Sequence, residues 1–441
     1  MPEILSPDLL WFGGRFVSHQ SLLIENGVIQ QVGSPDELLA KAPDAHQTRL
    51  TGQALVPGTI NAHNHSFQSL VRGFGDDLPF FQWRDNGIYR YSLNLDEEGV
   101  YTGAILAFGE MLRYGVTTVV DFFYLHHESN AYDLAVMRAA RDVGIRLVLA
   151  RCLYNWETGP AVYREVLEDA EARTRELAQL AREHDGGRGM VTVQPAPHSP
   201  HAASPNMIVA GHALAQELDT PFHIHVSEGR YEVEMIQERY GLTPIRWLDS
   251  LSVLDDRAVL VHAVWATPEE IELMGERGVH LAYNPASNMF LGDGITDIPA
   301  MLAAGVRVAM GTDGGCSNNR TSIFDEMRTC ALLQKVKRLD GATLSAEEVF
   351  TMGTANGGSA LRLPIGEIAP GKRADLVALD INDISLQPSN RLIKNIVYAM
   401  SPQAIRGVWV DGAQRVSAGE LTGSLTLREI TTRVKALTEK W

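Results

Sequence analysis

ALVPGTINAHNH, residues 54–65, is an unbroken, mostly apolar run that closes on two histidines, His63 and His65. An apolar run of this length between turn residues predicts a buried β-strand. Because residues i and i+2 of a strand point to the same side, both imidazoles can reach one point in space. Imidazole is a common protein ligand for zinc and related metals. The stretch therefore predicts a strand that carries part of a metal site.

Apolar, β-rich segments alternate with amphipathic helical patterns from residue 54 onward. The eight strand candidates are Ala54–Ala62, Thr117–Phe123, Arg146–Leu153, Val191–Pro195, Phe222–Val226, Val259–Ala263, His280–Asn284 and Val306–Gly311. Thr267 with Glu270, and Ser345 with Glu348, have the spacing of helix capping boxes. The alternation predicts an α/β fold, a (β/α)8 barrel of the TIM type. A doubly wound sheet is the alternative, but no GxGxxG sequence follows any of these strands.

The two ends of the chain have a different pattern, rich in short strands and turns. Asn26-Gly27 and Asp411-Gly412 are typical of tight β-hairpins. We expect residues 1–53 and 365–425 to form a small β-sandwich domain beside a barrel of residues 54–364. Residues 426–441 are predicted to form a C-terminal helix.

Composition narrows the class of protein. The formal charge of −16 would repel nucleic acids and anionic membranes, so neither is an expected partner. The three cysteines, Cys152, Cys316 and Cys330, form no CxxC pair and no disulfide framework. The N-terminus lacks the layout of a signal peptide, and no apolar stretch reaches the ~20 residues of a membrane span. These features predict a cytoplasmic protein that acts on a small molecule.

Polar residues recur where the predicted strands end, and a barrel carries its active site at that rim. They are His63, His65, His198, His225, Glu228, His262 and Asp313. Burying so many polar groups without a shared partner would be costly, and a metal ion supplies one. We expect His63, His65, His225 and Asp313 to bind one divalent ion per subunit. Zinc with a water in the open position suits this set, and iron or manganese are alternatives.

The remaining groups suggest a hydrolytic reaction. A metal lowers the pKa of its water towards ~7, which provides hydroxide at neutral pH. Asp313 is placed to take a proton from that water. Glu228, three residues beyond His225, is expected to shuttle a proton to the leaving group, and His262 to hydrogen-bond the hydroxide or the oxyanion. Taken alone, each residue has an ordinary structural explanation, and His223 is left open between a core role and a supporting one.

The ordered set HNH, APHSP, HIHVSE, LVHAVW, YNPASN and GTDG resembles the amidohydrolase superfamily. Its mononuclear deaminase branch matches best, with S-adenosylhomocysteine, guanine and 8-oxoguanine deaminases and the triazine hydrolases. The resemblance implies the barrel and sandwich fold, the metal ligands named above, and catalysis by Glu228, His262 and Asp313. It also implies that His198 touches the substrate. Members are often dimers or larger, so a homo-oligomer is an option. QPAPHSP holds no lysine, which favours one metal over two.

FFQWRDNGIYRY, FFYLHH and LGDGI resemble the related N-formimino-L-glutamate iminohydrolases. That resemblance implies substrate contacts from Gln68, Arg84, Tyr124 and His198. An arginine expected where His201 stands is absent.

We therefore predict a metal-dependent hydrolytic deaminase that releases ammonia from an amidine-like C–N unit of an aminated purine, pteridine or triazine. The glutamate that binds ribose in nucleoside deaminases is not evident around residues 82–84, which argues against an adenosine-like substrate. One alternative is an N-formimino amino acid iminohydrolase with Arg84 on the carboxylate, and another is a triazine chlorohydrolase. A non-catalytic scaffold is a further alternative, but every expected metal ligand is present.

Overall fold

The computed structural model describes residues 2–157, 159–185, 188–439 and 441, so a few residues of the predicted domains lie outside the description. The strands are β1 (Glu3–Phe12), β2 (Arg15–Val17), β3 (Ser21–Glu25), β4 (Val28–Gly33), β5 (His46–Pro57), β6 (Thr59–Asn64), β7 (Val116–Phe123), β8 (Arg146–Leu153), β9 (Val191–Pro197), β10 (Phe222–Val226), β11 (Ala258–His262), β12 (His280–Tyr283), β13 (Arg307–Met310), β14 (Leu376–Asp380), β15 (Ile405–Val410), β16 (Ala413–Ser417) and β17 (Glu420–Leu421).

The helices are α1 (Pro35–Lys41), α2 (Phe80–Trp83), α3 (Arg90–Ser92), α4 (Glu97–Arg113), α5 (Ala131–Val143), α6 (Leu167–Asp185), α7 (Pro205–Leu218), α8 (Arg230–Tyr240), α9 (Pro244–Ser250), α10 (Pro268–Arg277), α11 (Pro285–Phe290), α12 (Ile298–Ala303), α13 (Ile323–Arg338), α14 (Ala346–Met352), α15 (Ala355–Ala360), α16 (Leu392–Tyr398) and α17 (Leu427–Thr438). The capping boxes at Thr267 and Ser345 are confirmed at the starts of α10 and α14. Among the described helices, none has the length and apolarity that crossing a membrane requires.

The barrel part of the fold is built from eight parallel strands in two sheets of four. β6 to β9 pair in order, and so do β10 to β13. The sheets meet at both edges through hydrogen bonds at their carboxyl ends. The His225 N–H donates to the His198 carbonyl at 3.1 Å, and the Thr312 N–H donates to the His63 carbonyl at 3.1 Å. With helices between the strands, this arrangement confirms the predicted (β/α)8 class.

The strand predicted over Ala54–Ala62 is wrong as a single element, because the chain changes sheets at Gly58. Pro57 ends β5 opposite Leu376 in the terminal sheet, whereas Thr59 begins β6 opposite Val116 in the barrel. A Cβ at Gly58 would lie 2.2 Å from the Thr117 hydroxyl oxygen, so the crossing needs a residue without a side chain. The other seven predicted strands begin and end within two residues of the observed ones.

Strands from both ends of the chain form a separate nine-stranded sheet, which confirms that both termini build a β-sheet unit of their own, while the bounds 1–53 and 365–425 stay a prediction. Its order is β17-β16-β15-β14-β5-β1-β3-β4, with β2 paired to β1. Leu5, Leu22 and Leu376 belong to an apolar core of its own. Both predicted hairpins are present, and Asn26 and Asp411 have the positive φ angles, 51° and 53°, that such turns require.

A buried ion pair fastens the barrel to the terminal sheet. Arg146 begins β8, and its Nε donates to Asp375 Oδ2 at 3.0 Å while its Nη2 donates to Oδ1 at 3.1 Å. Asp375 Oδ1 also accepts the backbone N–H of Asp411 at 2.7 Å. The terminal sheet is therefore attached at the amino-terminal end of the barrel strands, opposite the rim where the predicted site residues lie.

Candidate metal centre and active site

Three of the predicted metal-binding imidazoles and one carboxylate converge at the carboxyl ends of β6, β10 and β13. His63 Nε2 lies 3.2 Å from His225 Nε2. Asp313 Oδ1 lies 3.4 Å from His63 Nε2 and 3.3 Å from His65 Nε2. All four side chains are buried. The residues come from three different strand ends, so the barrel brings together groups that are up to 250 positions apart in sequence.

The spacing and chemistry of these four groups fit a single divalent ion. Ligands at 2.0–2.1 Å from a tetrahedral zinc are separated from one another by about 3.3–3.4 Å. The observed separations of 3.2–3.4 Å agree with that value. His65 Nδ1 lies 2.6 Å from the Phe122 carbonyl and His225 Nδ1 lies 2.8 Å from the His198 carbonyl. A carbonyl can only accept, so both Nδ1 atoms carry the proton and both Nε2 lone pairs face the centre.

Asp313 is held in place by contacts on both sides. Its Oδ2 accepts hydrogen bonds from the Ser287 hydroxyl at 2.6 Å and the Ser317 hydroxyl at 2.9 Å, which leaves Oδ1 facing the histidines. A Cβ at Gly314 would lie 1.6 Å from Gln68 Oε1, so the GTDGG segment packs directly against the segment that follows β6. The GTDGG segment is therefore tightly packed and holds the carboxylate in position. Its glycines alone would suggest a loose turn.

We predict that Ser287→Ala weakens metal binding by about 10–100-fold, because a hydrogen bond that orients a ligand is lost. Competition with a fluorescent zinc chelator would measure the change. Ser359→Ala, at an exposed serine on α15, is the matched control and should leave the affinity unchanged. Equal affinities of the Ser287 variant and the parent would contradict this role.

Glu228 and His262 stand beside the four convergent side chains. His262 Nε2 lies 3.6 Å from Glu228 Oε1. The Asn288 amide donates to Asp293 Oδ2 at 3.2 Å and to His262 Nδ1 at 3.0 Å. Because the carboxylate of Asp293 fixes which end of the amide is the donor, His262 Nδ1 accepts. The proton of the neutral ring therefore sits on Nε2, where it points into the site.

The buried surroundings set the protonation of these groups. Burial lowers the pKa of His63 to about 4 and that of His262 to about 3, so both rings are neutral at physiological pH. Burial, together with the charges of Asp293 and Asp313, raises the pKa of Glu228 well above its usual range. Neutral imidazoles suit metal binding, and a carboxyl that readily holds a proton suits proton transfer.

A cavity of about 870 Å³, including the space at its mouth, opens above these residues. The predicted substrate contacts Gln68, Arg84, Tyr124 and His198 all line it. Gln68 donates from Nε2 to the Tyr124 hydroxyl at 2.8 Å. The Arg84 guanidinium lies 5.0 Å from the centre of the Tyr89 ring, a cation–π distance.

Sequence reasoning missed most of the cavity wall, which is aromatic. The additional aromatic residues are Phe80, Phe81, Trp83, Tyr89, Tyr154, Trp156, Tyr163 and Tyr231. Most lie in segments that follow β6 and β8, where aromatic residues are frequent enough to have served as a signal. His201 also lines the cavity. His223 instead lies 2.6 Å from Gln194 Oε1 through its Nε2, so it belongs to the interior of the barrel below the site.

Comparisons with known proteins agree with this geometry. The amidohydrolase family profile matches residues 54–415. A 5-methylthioadenosine/S-adenosylhomocysteine deaminase from Syntrophobacter fumaroxidans is 36% identical over 92% of this chain and 89% of its own. A 5′-deoxyadenosine deaminase from Methanothermobacter thermautotrophicus is 36% identical over 95% of this chain and 93% of its own.

Solved structures share the fold along nearly the full length. A zinc-bound adenosine deaminase from Xanthomonas campestris has a TM-score of 0.90 at 28% identity and covers 99% of this chain and 98% of its own. A zinc-bound atrazine chlorohydrolase from Arthrobacter aurescens has a TM-score of 0.91 at 24% identity, a likeness of fold, over 98% of this chain and 99% of its own. From the matched profile and these relatives, the protein belongs to the amidohydrolase family.

Proposed function

We propose that the protein is a metal-dependent hydrolytic deaminase that releases ammonia from the adenine ring of a nucleoside. The observation that carries the proposal is the meeting of His63, His65, His225 and Asp313 at 3.2–3.4 Å, beside Glu228 and His262. The relatives at 36% identity are named for adenine nucleosides, which supports that ring over a pteridine or a triazine. This proposal differs from the sequence-based expectation, in which the lack of a ribose-binding glutamate around residues 82–84 argued against an adenosine-like substrate.

One zinc ion per chain, held by His63, His65, His225 and Asp313, would supply Lewis acidity and lower the pKa of a water molecule towards about 7. Zinc is bound in the similar adenosine deaminase structure. Glu228 takes up the proton of the attacking oxygen and delivers it to the departing nitrogen. Its raised pKa means that the carboxyl holds a proton readily, which suits delivery of that proton to the departing nitrogen. His262 donates from Nε2 to the oxygen that adds to the ring carbon, which stabilises the charge that develops there.

The walls of the cavity support a planar substrate. Tyr124, Tyr154 and Tyr163 line it together with Trp156. Aromatic side chains bury a large area at little entropic cost and stack against flat rings. A planar heterocycle would stack against most of this aromatic surface, whereas a flexible acyclic chain would contact only part of it.

A second candidate is an N-formimino amino acid, and Arg84 is the observation that favours it. Among the described residues that line the cavity, Arg84 is the one lysine or arginine. Its Nε donates to Asp85 at 2.8 Å, and its terminal nitrogens have no bond to another described residue. A substrate carboxylate would pair with those nitrogens.

Arg84→Met separates the two candidates. For an adenine nucleoside without a carboxylate we expect kcat/KM to change by less than about tenfold. For a formimino amino acid we expect kcat/KM to fall by about 10–100-fold, because a hydrogen bond between charged groups contributes about that much to binding. Arg90→Met, at an exposed arginine of the same segment, is the control.

Ammonia release from the zinc-loaded protein tests the proposal itself. The panel comprises adenosine, 5′-deoxyadenosine, methylthioadenosine, S-adenosylhomocysteine, an aminopteridine, an aminotriazine and N-formimino-glutamate. Turnover of the adenine nucleosides above the other compounds is the expected result. Turnover of the formimino compound alone would overturn the proposal in favour of the second candidate, and no ammonia from any compound would overturn both.

A further inference from the structure

Two neighbouring loops carry much of the aromatic wall of the candidate active site. The loop after β8 holds Tyr154, Trp156 and Tyr163, which all line the cavity. Its ends meet where the Glu165 N–H donates to the Tyr154 carbonyl at 2.9 Å. The loop after β7 adds Tyr124 to the same wall. The positions of these rings therefore depend on what holds the two loops.

Tyr163 stands at the centre of this wall. Its ring centroid lies 5.1 Å from that of Tyr124 and 5.8 Å from those of Tyr89 and Tyr154. All three pairs meet edge to face, a favourable geometry for aromatic rings. The Tyr163 hydroxyl lies 3.3 Å from the Ser92 hydroxyl. A shift of Tyr163 would therefore disturb rings from the segments that follow β6, β7 and β8.

Glu165, two residues beyond Tyr163, is held by two arginines. Arg151 of β8 donates from Nη1 to Glu165 Oε2 at 2.9 Å and from Nη2 to Oε1 at 2.7 Å, a two-point ion pair. Arg173 of α6 donates from Nη1 to Oε1 at 2.9 Å. Burial opposes ionisation, but the charges of His126 and of both arginines lower the pKa of Glu165 below its usual range. Glu165 is therefore an ionised carboxylate that anchors one end of the loop.

His126 extends the same set of charges into the loop after β7. Its Nδ1 lies 3.0 Å from Asp133 Oδ2, and its Nε2 lies 3.0 Å from the Cys152 carbonyl. Because a carbonyl and an ionised carboxylate only accept hydrogen bonds, the ring donates from both nitrogens and carries a positive charge. Asp133 Oδ1 lies 3.9 Å from Arg151 Nε, which brings the charges of the two loops together.

The buried charge cluster consists of four fully buried side chains, those of His126, Asp133, Arg151 and Glu165. Charges lose their hydration when they are buried, and apolar side chains of similar volume often stabilise a fold equally well. An ion pair with two hydrogen bonds adds geometry, because it forms in one arrangement, whereas apolar contacts let neighbouring segments slide. A backbone contact follows the same line, since the His127 N–H donates to the Val162 carbonyl at 3.0 Å. The cluster thus fixes the loop after β7 against the loop after β8.

We propose that the buried charge cluster positions the aromatic wall and thereby sets the affinity of the active site for a planar ring. Its four members are positioning residues, since none of them belongs to the described lining of the cavity. They act through Tyr163 and Tyr124, whose rings they hold against the space that the substrate enters. The inference rests on the deaminase function proposed above, because it takes the substrate to be an aminated heterocycle.

The test compares Glu165→Gln with Asp375→Asn in the zinc-loaded full chain, with 5′-deoxyadenosine as substrate. Each change replaces the carboxylate partner of a buried arginine of β8 by a neutral amide, and both should lower the melting temperature. We expect Glu165→Gln to raise KM about tenfold and to change kcat by less than about threefold, because displaced rings weaken stacking on the substrate. Asp375→Asn should leave KM and kcat unchanged, since its partner Arg146 lies at the other end of the strand.

Arg173→Met keeps the inference testable if Glu165→Gln fails to fold. The Arg173 side chain is 21% exposed and supplies one of the hydrogen bonds to Glu165, so the variant should fold and raise KM about threefold. Arg175→Met is the control on the same helix, because Arg175 is exposed and pairs with Glu217 instead. It should leave KM unchanged.

The outcomes separate this inference from the proposed function. An unchanged KM in Glu165→Gln and Arg173→Met, with a parent that releases ammonia from 5′-deoxyadenosine, would overturn the inference alone. An equal rise of KM in Asp375→Asn would also overturn it, because the effect would then follow from lost stability and would not depend on the wall. A parent that releases no ammonia from any adenine nucleoside would overturn the proposed function, and this inference with it.

Discussion

Replacing Glu228 by glutamine is expected to lower kcat for ammonia release by about 10²–10⁴-fold, the usual contribution of general acid–base catalysis. The glutamine keeps the size of the side chain but cannot take up and return a proton. Because the pKa of Glu228 is raised by burial, the carboxyl is costly to ionise there, and the neutral amide should be tolerated. The variant should therefore fold, bind metal as the parent does, and fail in the chemical step.

Two controls define this experiment. Glu238→Gln changes an exposed glutamate of α8, the helix that follows Glu228, and should leave kcat unchanged. Metal content and melting temperature of Glu228→Gln should match those of the parent. A kcat within tenfold of the parent at equal metal content would show that Glu228 carries no proton in the reaction.

Replacing His225 by alanine is expected to remove both the metal and the activity. The imidazole Nε2 is one of the four donors that converge, and its Nδ1 is fixed by the His198 carbonyl at 2.8 Å. Its loss leaves two imidazoles and one carboxylate, and the lost Lewis acidity is worth several kcal/mol, or roughly 10³-fold in kcat/KM. Metal analysis after dialysis should give well below one ion per chain.

His46→Ala, at an exposed histidine of β5, is the control for His225→Ala and should keep full metal content and activity. The melting temperature of the His225 variant should also be compared with that of the metal-free parent. Full activity in His225→Ala would mean that the reaction proceeds without the centre described above.

The fold was largely predictable, because strand and helix periodicity are local properties of the sequence. The exception at Gly58 is instructive. Residues on both sides of it are apolar and extended, so periodicity cannot show that Pro57 pairs with Leu376 while Thr59 pairs with Val116. Only the packing of Gly58 against Thr117 reveals the change of sheet.

The candidate site likewise has a part that the sequence predicts and a part that it does not. His63, His65, His225 and Asp313 lie at strand ends, where the barrel alone determines that side chains meet. The aromatic wall depends instead on the conformations of long loops, which propensity does not determine. Tyr231 is an example, because it lies in the first turn of α8 and reaches the cavity only through the turn after β10.

The support around His262 was equally hidden from sequence reasoning. Asn288 was visible within the YNPASN motif, but nothing in the motif shows which side chain its amide meets. In the fold, α11 places the amide between His262 Nδ1 and Asp293 Oδ2. A contact of this kind depends on the geometry of two loops at once, and it determines which nitrogen of His262 carries the proton.

The most direct test of the account is a zinc titration of the metal-free protein, with ammonia release from 5′-deoxyadenosine or methylthioadenosine measured at each step. We predict no ammonia release without metal, a linear rise with added zinc, and a plateau at one ion per chain. Ammonia release by the metal-free protein, or a plateau that requires two ions per chain, would contradict a single centre formed by His63, His65, His225 and Asp313.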